Sequence, residues 1–195
     1  MKVLPKTKPG RGMLLILGLL VAAGCSLIGE NSNFVHRELS TGFDLHVAVL
    51  PFENLSNNPT AGVAVSQLMA TELYARKAFR IMEESEMRRR LTMRKVDMDR
   101  LADAAVARQV AIQLGVDAVL IGSVSEFAYQ HGLREEPAVG VNVQLIRARD
   151  GLVMWRASQS LMGSNFWRRQ SLIQTTQQAV NRLVDGLVGA TLPEA

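Results

Sequence analysis

The residues able to do chemistry are few and scattered. The chain holds one cysteine, Cys25, and three histidines, His36, His46 and His131. A thiol or an imidazole becomes a metal ligand or half of a nucleophile–base pair only with partners at defined spacing. No histidine stands at such a spacing from another or from Cys25. The Gly-x-Ser-x-Gly elbow, the phosphate-binding Gly-Lys-Ser/Thr loop and His-Glu-x-x-His are all absent. Glu53 follows the first apolar strand, where an α/β fold can place a catalytic acid, but a carboxylate without a partner is ordinarily a turn or capping residue. Arg88-Arg89-Arg90 would suit a phosphate. Glu83, Glu84 and Glu86 lie within a turn of it, so a solvated ion-pair face is the simpler reading. Trp155, beside Arg156, reads as core packing or a cross-strand pair. Phe166-Trp167-Arg168-Arg169 sets two large aromatics next to two cations. That suits contact with a membrane or a partner, rings among headgroups and cations on phosphates. A hydrophobic staple fixing a helix entry would use the same residues. The expectation is therefore no catalytic residue, no metal site and no cofactor, in a protein that is not an enzyme.

Cys25 has a more specific setting. Lys2, Lys6, Lys8 and Arg11 form a basic opening without an acid, and the apolar run from Met13 to Ala23 follows. This is the pattern of a secretory signal. At about 1.5 Å per residue the run is too short for a permanent helix across a ~30 Å hydrocarbon core. Ala22-Ala23-Gly24-Cys25 resembles the lipobox of bacterial lipoproteins, although leucine is commonest where Ala22 stands. The resemblance implies that the Cys25 thiol takes a diacylglycerol, that the signal 1–24 is cut away, and that the new amine is acylated. Ser26, where an aspartate favours inner-membrane retention, implies the outer membrane and a periplasmic location.

The signal changes the charge argument. The chain has 22 Lys+Arg and 18 Asp+Glu; without the four bases of the opening, 18 face 18. The folded part is formally neutral and gives no electrostatic reason to bind nucleic acid. The 171 residues from Cys25 onward suit one domain with a real core. With a single cysteine no internal disulfide can form, so packing must supply the stability. Residues 25–44 lack sustained periodicity and read as the lipidated Cys followed by a tether, ahead of one domain over 45–190.

Within that domain Leu45 to Phe52 reads as a strand buried on both faces. Turn formers fill 53–59. Thr60 then caps a helix to about Ala78, with Val65, Leu68, Met69 and Leu73 inward. Phe79 to Met82 is a short strand. A helix follows over Glu83–Arg94, and another from Asp97 to Leu114, burying Leu101, Ala105 and Val110 and closed by Gly115. A strand lies within Val116–Tyr129, a polar loop over Gln130–Pro137, and a strand with one dry and one wet face over Val141–Leu145. Asp150-Gly151 turns a hairpin into Leu152–Ser160. A final amphipathic helix spans about Arg168–Leu187, with Leu172, Ile173, Val180, Leu183 and Leu187 inward. The order β-α-β-α-α-β-β-β-α predicts an α/β (α+β) sandwich on a mixed sheet.

Three segments together resemble the curli secretion lipoprotein (CsgG) superfamily: Val47-Ala48-Val49-Leu50-Pro51-Phe52-Glu53-Asn54, Asp117 to Val124, and Val141 to Leu145 continuing through Asp150-Gly151 to Trp155. Curli channel subunits add two transmembrane β-hairpins. Here only Gln130–Ala138 and Met162–Trp167 occupy those places, too short for membrane strands of ~9–11 residues. The chain is thus more similar to the barrel-less members, such as the Pel polysaccharide export lipoprotein and the LpoB-like activators of penicillin-binding proteins. The resemblance implies a non-enzymatic accessory for assembly or secretion of an envelope polymer, a homo-oligomer whose partners are outer-membrane or periplasmic export and assembly proteins. The alternative it implies is a regulatory lipoprotein that activates a peptidoglycan synthase.

Overall fold

The computed structural model describes residues 31–41, 44–94, 96, 100, 101, 103–131, 135–163 and 170–191. Its strands are β1 (Asn31–Val35), β2 (His46–Val49), β3 (Glu53–Asn54), β4 (Arg80–Ile81), β5 (Ala118–His131), β6 (Glu135–Arg147) and β7 (Val153–Met162). Its helices are α1 (Ala61–Ala75), α2 (Glu84–Met93), α3 (Ala104–Leu114) and α4 (Leu172–Thr191), with a 3-10 turn at Arg37–Thr41. One mixed sheet runs β1-β7-β6-β5-β2-β4, and β3 pairs with β5 beyond the end of β2. The β1 side is antiparallel; β5, β2 and β4 are parallel. The expected mixed sandwich is the observed one.

Burial explains the layers. In β2, Val47 and Val49 join a core under α1 and α4, while Ala48 and Leu50 join a second core under α2 and α3. That is why the strand is apolar throughout. On α1, Val65, Met69 and Leu73 are fully buried, and Gly62 admits the carbonyl of Phe52 where any Cβ would overlap it. On α4, Thr175, Thr176, Ala179, Val180, Leu183, Val184 and Leu187 form the inward stripe; Ile173, expected inside, is exposed. On β6, Val141, Val143 and Leu145 are buried while Asn142 is exposed and Gln144 half-buried, as the alternation predicts.

Several boundaries differ from the sequence reading. The folded part begins before residue 45, inside the stretch 25–44 read as a tether. Asn31–Val35 is an edge strand on β7, and Leu39 in the following turn is 1% exposed. Its first four residues are exposed, so no apolar alternation marks it. The ladder holds it, and Asn33 bridges two elements: its Oδ1 accepts from Trp155 Nε1 at 2.8 Å and its Nδ2 donates to the Gly186 carbonyl at 2.9 Å. Helix α3 is capped by Asp103, which accepts from the amides of Ala105 and Val106, rather than by Asp97. Its inward stripe is Ala107, Val110, Ala111 and Leu114, and Ala105, expected inside, is exposed. Gly115 closes that helix at φ +72°, as expected. Helix α4 begins later than Arg168 because Ser171 and Gln174 form a reciprocal capping box, each side chain accepting the other's amide. The stretch 130–137 is not simply loop, since β5 runs to His131 and β6 starts at Glu135.

At the far end of the β6–β7 hairpin, Arg147 binds Asp150 through two nitrogens, at 2.9 and 2.7 Å, and reaches Glu38 at 2.5 Å. Hydrogen bonds from Arg147 hold both carboxyls below the ordinary carboxylate range. A carboxyl with a depressed folded pKa stabilises fully above its unfolded value and loses that contribution as pH falls through the folded one. Urea melts should therefore show wild-type stability declining below about pH 4. Arg147→Met should start lower at pH 7 and decline less; parallel curves would show that the cluster contributes nothing.

Candidate functional site

The direction of β1 defines one end of the domain. Asn31 lies opposite Gln159 and Val35 opposite Trp155, so the chain enters the sheet at the end where β7 finishes. The β5–β6 arm points the same way: Tyr129, Gln130 and His131 pair with Pro137, Glu136 and Glu135, beyond the last β7 pair, Ala138–Met162. The Gly163 amide donates to the Pro137 carbonyl at 2.7 Å, and the Leu172 amide to the Tyr129 hydroxyl at 3.1 Å. Cys25 and the cluster Phe166, Trp167, Arg168 and Arg169 lie outside the described residues. The residues that flank them, Asn31 on one side and Gly163 and Gln170 on the other, share this end.

The remaining sequence candidates are dispersed. Glu53 is exposed on β3, facing Ser123 in register. His36 Nδ1 accepts the Glu38 amide, the His46 amide donates to the Asp117 carboxylate, and His131 stands 3.5 Å from Glu135 at the tip of the arm. Arg88 pairs with Glu84, and Arg89 and Arg90 with Glu86; Arg90 also reaches the Leu114 carbonyl at 2.6 Å. The arginine run is thus the ion-pair face that its neighbouring acids suggest. Trp155 is fully buried and serves the core. Among the described residues no cluster of His, Cys, Asp and Glu could hold a metal, and no helix is long and apolar enough to cross a membrane.

Two concave surfaces emerge that sequence reading did not find. One is a largely apolar groove of about 760 Å³ between α1, α2 and the β4 edge. The other, about 340 Å³, lies over the strands that α2 and α3 leave uncovered, and its walls are Ser32, Ser125, Asn142, Ser158 and Ser160 around Gly140. The first joins successive elements between Val49 and Arg88 and the second joins segments far apart in sequence, so no local motif announces either.

The sequence matches no family model and no curated protein. The fold is similar to that of solved structures. PelC from Paraburkholderia phytofirmans, solved as a dodecamer, superposes with a TM-score of 0.61 at 23% identity, covering 82% of this chain and 97% of that one. Lipoprotein GNA1162 from Neisseria meningitidis gives 0.56 at 17%, covering 75% and 96%. The LpoB C-terminal domain from Salmonella enterica gives 0.46 at 16%, covering 78% and 94%, too loose a superposition to carry an argument. At these identities the likeness is one of fold.

Proposed function

We propose that this chain is a lipoprotein anchored in the outer membrane through Cys25 and facing the periplasm. It works without catalysis, as a repeated accessory module for assembly or export of an envelope polymer, in the manner of the barrel-less CsgG-like lipoproteins. The observation that carries this reading is the likeness, over 82% of this chain and 97% of the other, to a protein solved as a dodecamer. The likeness to a protein named as a lipoprotein supports the anchor.

The position of β1 supports it further. With Asn31 already in the sheet, only residues 26–30 separate it from Cys25. Six residue steps span at most ~20 Å fully extended. An acylated Cys25 would hold the β5–β6 arm and the flanks of Phe166–Arg169 close under the bilayer, where aromatic and cationic side chains find headgroups. The same short tether argues against an activator reaching across peptidoglycan to a synthase, because that role needs a long linker.

Light scattering on the lipidated chain in nanodiscs and in detergent tests the oligomeric part. A multiple of the protomer mass is expected in both. A strict monomer at high micromolar concentration would overturn it and return the activator reading to the front.

A further inference from the structure

The apolar groove sits where an open α/β sheet makes a crevice. Strands β2 and β4 are parallel neighbours, but the chain leaves β2 for α1 on one face and β4 for α2 on the other. The space outside their carboxyl ends is a topological switch point. Val49, Ala70, Ile81, Met82 and Met87 give the groove its apolar lining. Glu83, Glu84 and Arg88 lie on its wall, with Arg88 paired to Glu84 at 2.6 Å. The amino terminus of α2 is no anion site, because the Glu83 carboxylate already caps it by accepting from the Glu86 amide. The rim therefore carries one net negative charge, Glu83, beside the Glu84–Arg88 pair, around an apolar floor.

The complementary surface lies at the opposite edge of the same sheet. Strand β1 is an outer edge with no proline or lysine to blunt it. Its Phe34 is 53% exposed, large and apolar, with its ring edge-on to His36. In register beside Phe34 stands Arg156, exposed and without an ion-pair partner among the described residues. This edge offers an aromatic knob with a cation; the groove offers an apolar slot with the Glu83 carboxylate on its rim beside the paired Glu84 and Arg88.

We propose that the α1–α2 groove receives the Phe34–Arg156 edge of a second copy of this chain, with Phe34 in the slot and Arg156 beside Glu83. The inference rests on the oligomeric reading above and supplies its interface. A ring needs a head-to-tail contact between two different surfaces on each protomer. Groove and knob lie on the two edges of one sheet, so a single copy engages one neighbour through each. The opposite charges fix the pairing and disfavour groove against groove or knob against knob.

Sedimentation of the lipidated chain in detergent tests this with two variants at exposed positions. Phe34→Ser removes the knob, and Thr71→Arg fills the slot from the α1 side. Each is expected to sediment as a monomer while keeping the wild-type melting temperature. An equimolar mixture keeps one intact knob and one intact slot and is expected to give dimers and nothing larger. Arg156→Glu covers the case in which Phe34→Ser melts early; it too should lose the oligomer. If the wild type is oligomeric and the variants remain so, the interface is wrong and the oligomeric reading stands. If the variants dissociate but the mixture stays monomeric, the head-to-tail pairing is wrong. A monomeric wild type overturns both readings and leaves the groove to a different protein.

Discussion

Trp155→Ala is expected to cost the domain about 3–5 kcal/mol, the usual loss when a fully buried large aromatic becomes alanine. For a domain of this size that lowers the melting temperature by on the order of 10 °C. The side chain is 0% exposed and sits where β1, β7 and the α4 core meet. Its indole N–H donates to Asn33, which in turn donates to the α4 carbonyl of Gly186. Losing the ring therefore opens a cavity and frees one of the two groups that hold β1. Asn33→Ala isolates the second effect. It leaves the buried indole N–H without its acceptor, at a cost of about 1–3 kcal/mol. The double variant should cost less than the sum, because the residues share one bond. Denaturant melts of the four proteins close the cycle; strict additivity would show that the Trp155–Asn33 bond contributes nothing. Limited proteolysis should also cut near residue 31 sooner in both single variants.

Cys25→Ser is expected to move the protein from a membrane fraction to a soluble or unprocessed one, the largest change any single substitution should produce. Membrane binding by acyl chains grows by about 0.8 kcal/mol per buried CH₂, and one chain alone gives only reversible attachment. A diacylglycerol with an added amide-linked chain would far exceed that threshold, whereas serine carries no thiol to form the thioether that starts the modification. Palmitate labelling and fractionation read both steps. A wild type that takes up no label, with a variant still in the outer membrane, would end the anchor reading. Inserting a flexible segment of about twenty residues after Ser26 should keep the label but release the β5–β6 arm from the bilayer surface. Loss of function in that variant would tie the role to the short tether.

Much of the architecture was legible because burial writes itself into residue type. Strand β2 is apolar on both faces since helices cover both, and Val47 to Leu50 show it without any structure. The Asp150-Gly151 hairpin and the Gly115 helix stop were equally plain, since each needs a positive φ that glycine adopts freely, at +79° and +72°. The Arg88–Arg90 run was readable from the acids one turn away.

What stayed hidden was decided by contacts between distant segments. Asn31–Val35 has no apolar alternation because it is an edge strand with its first four residues exposed; only its ladder with β7 and the Asn33 bridge make it structure. The starts of α3 and α4 turned on which of several local caps won, Asp103 and the Ser171–Gln174 box, and hydrophobic period does not choose between neighbouring caps. The groove needs β2, α1, β4 and α2 brought together, and the knob needs β1 laid beside Arg156. The sequence alone determined a signal-like opening, a single thiol in a lipobox-like stretch, a neutral remainder and the order of the main elements, because those are properties of composition and local pattern. Only the tertiary structure decided that the fold takes in Asn31–Val35 and sets Phe34 beside Arg156, because both depend on pairing between residues more than a hundred positions apart, as Asn33 and Trp155 are.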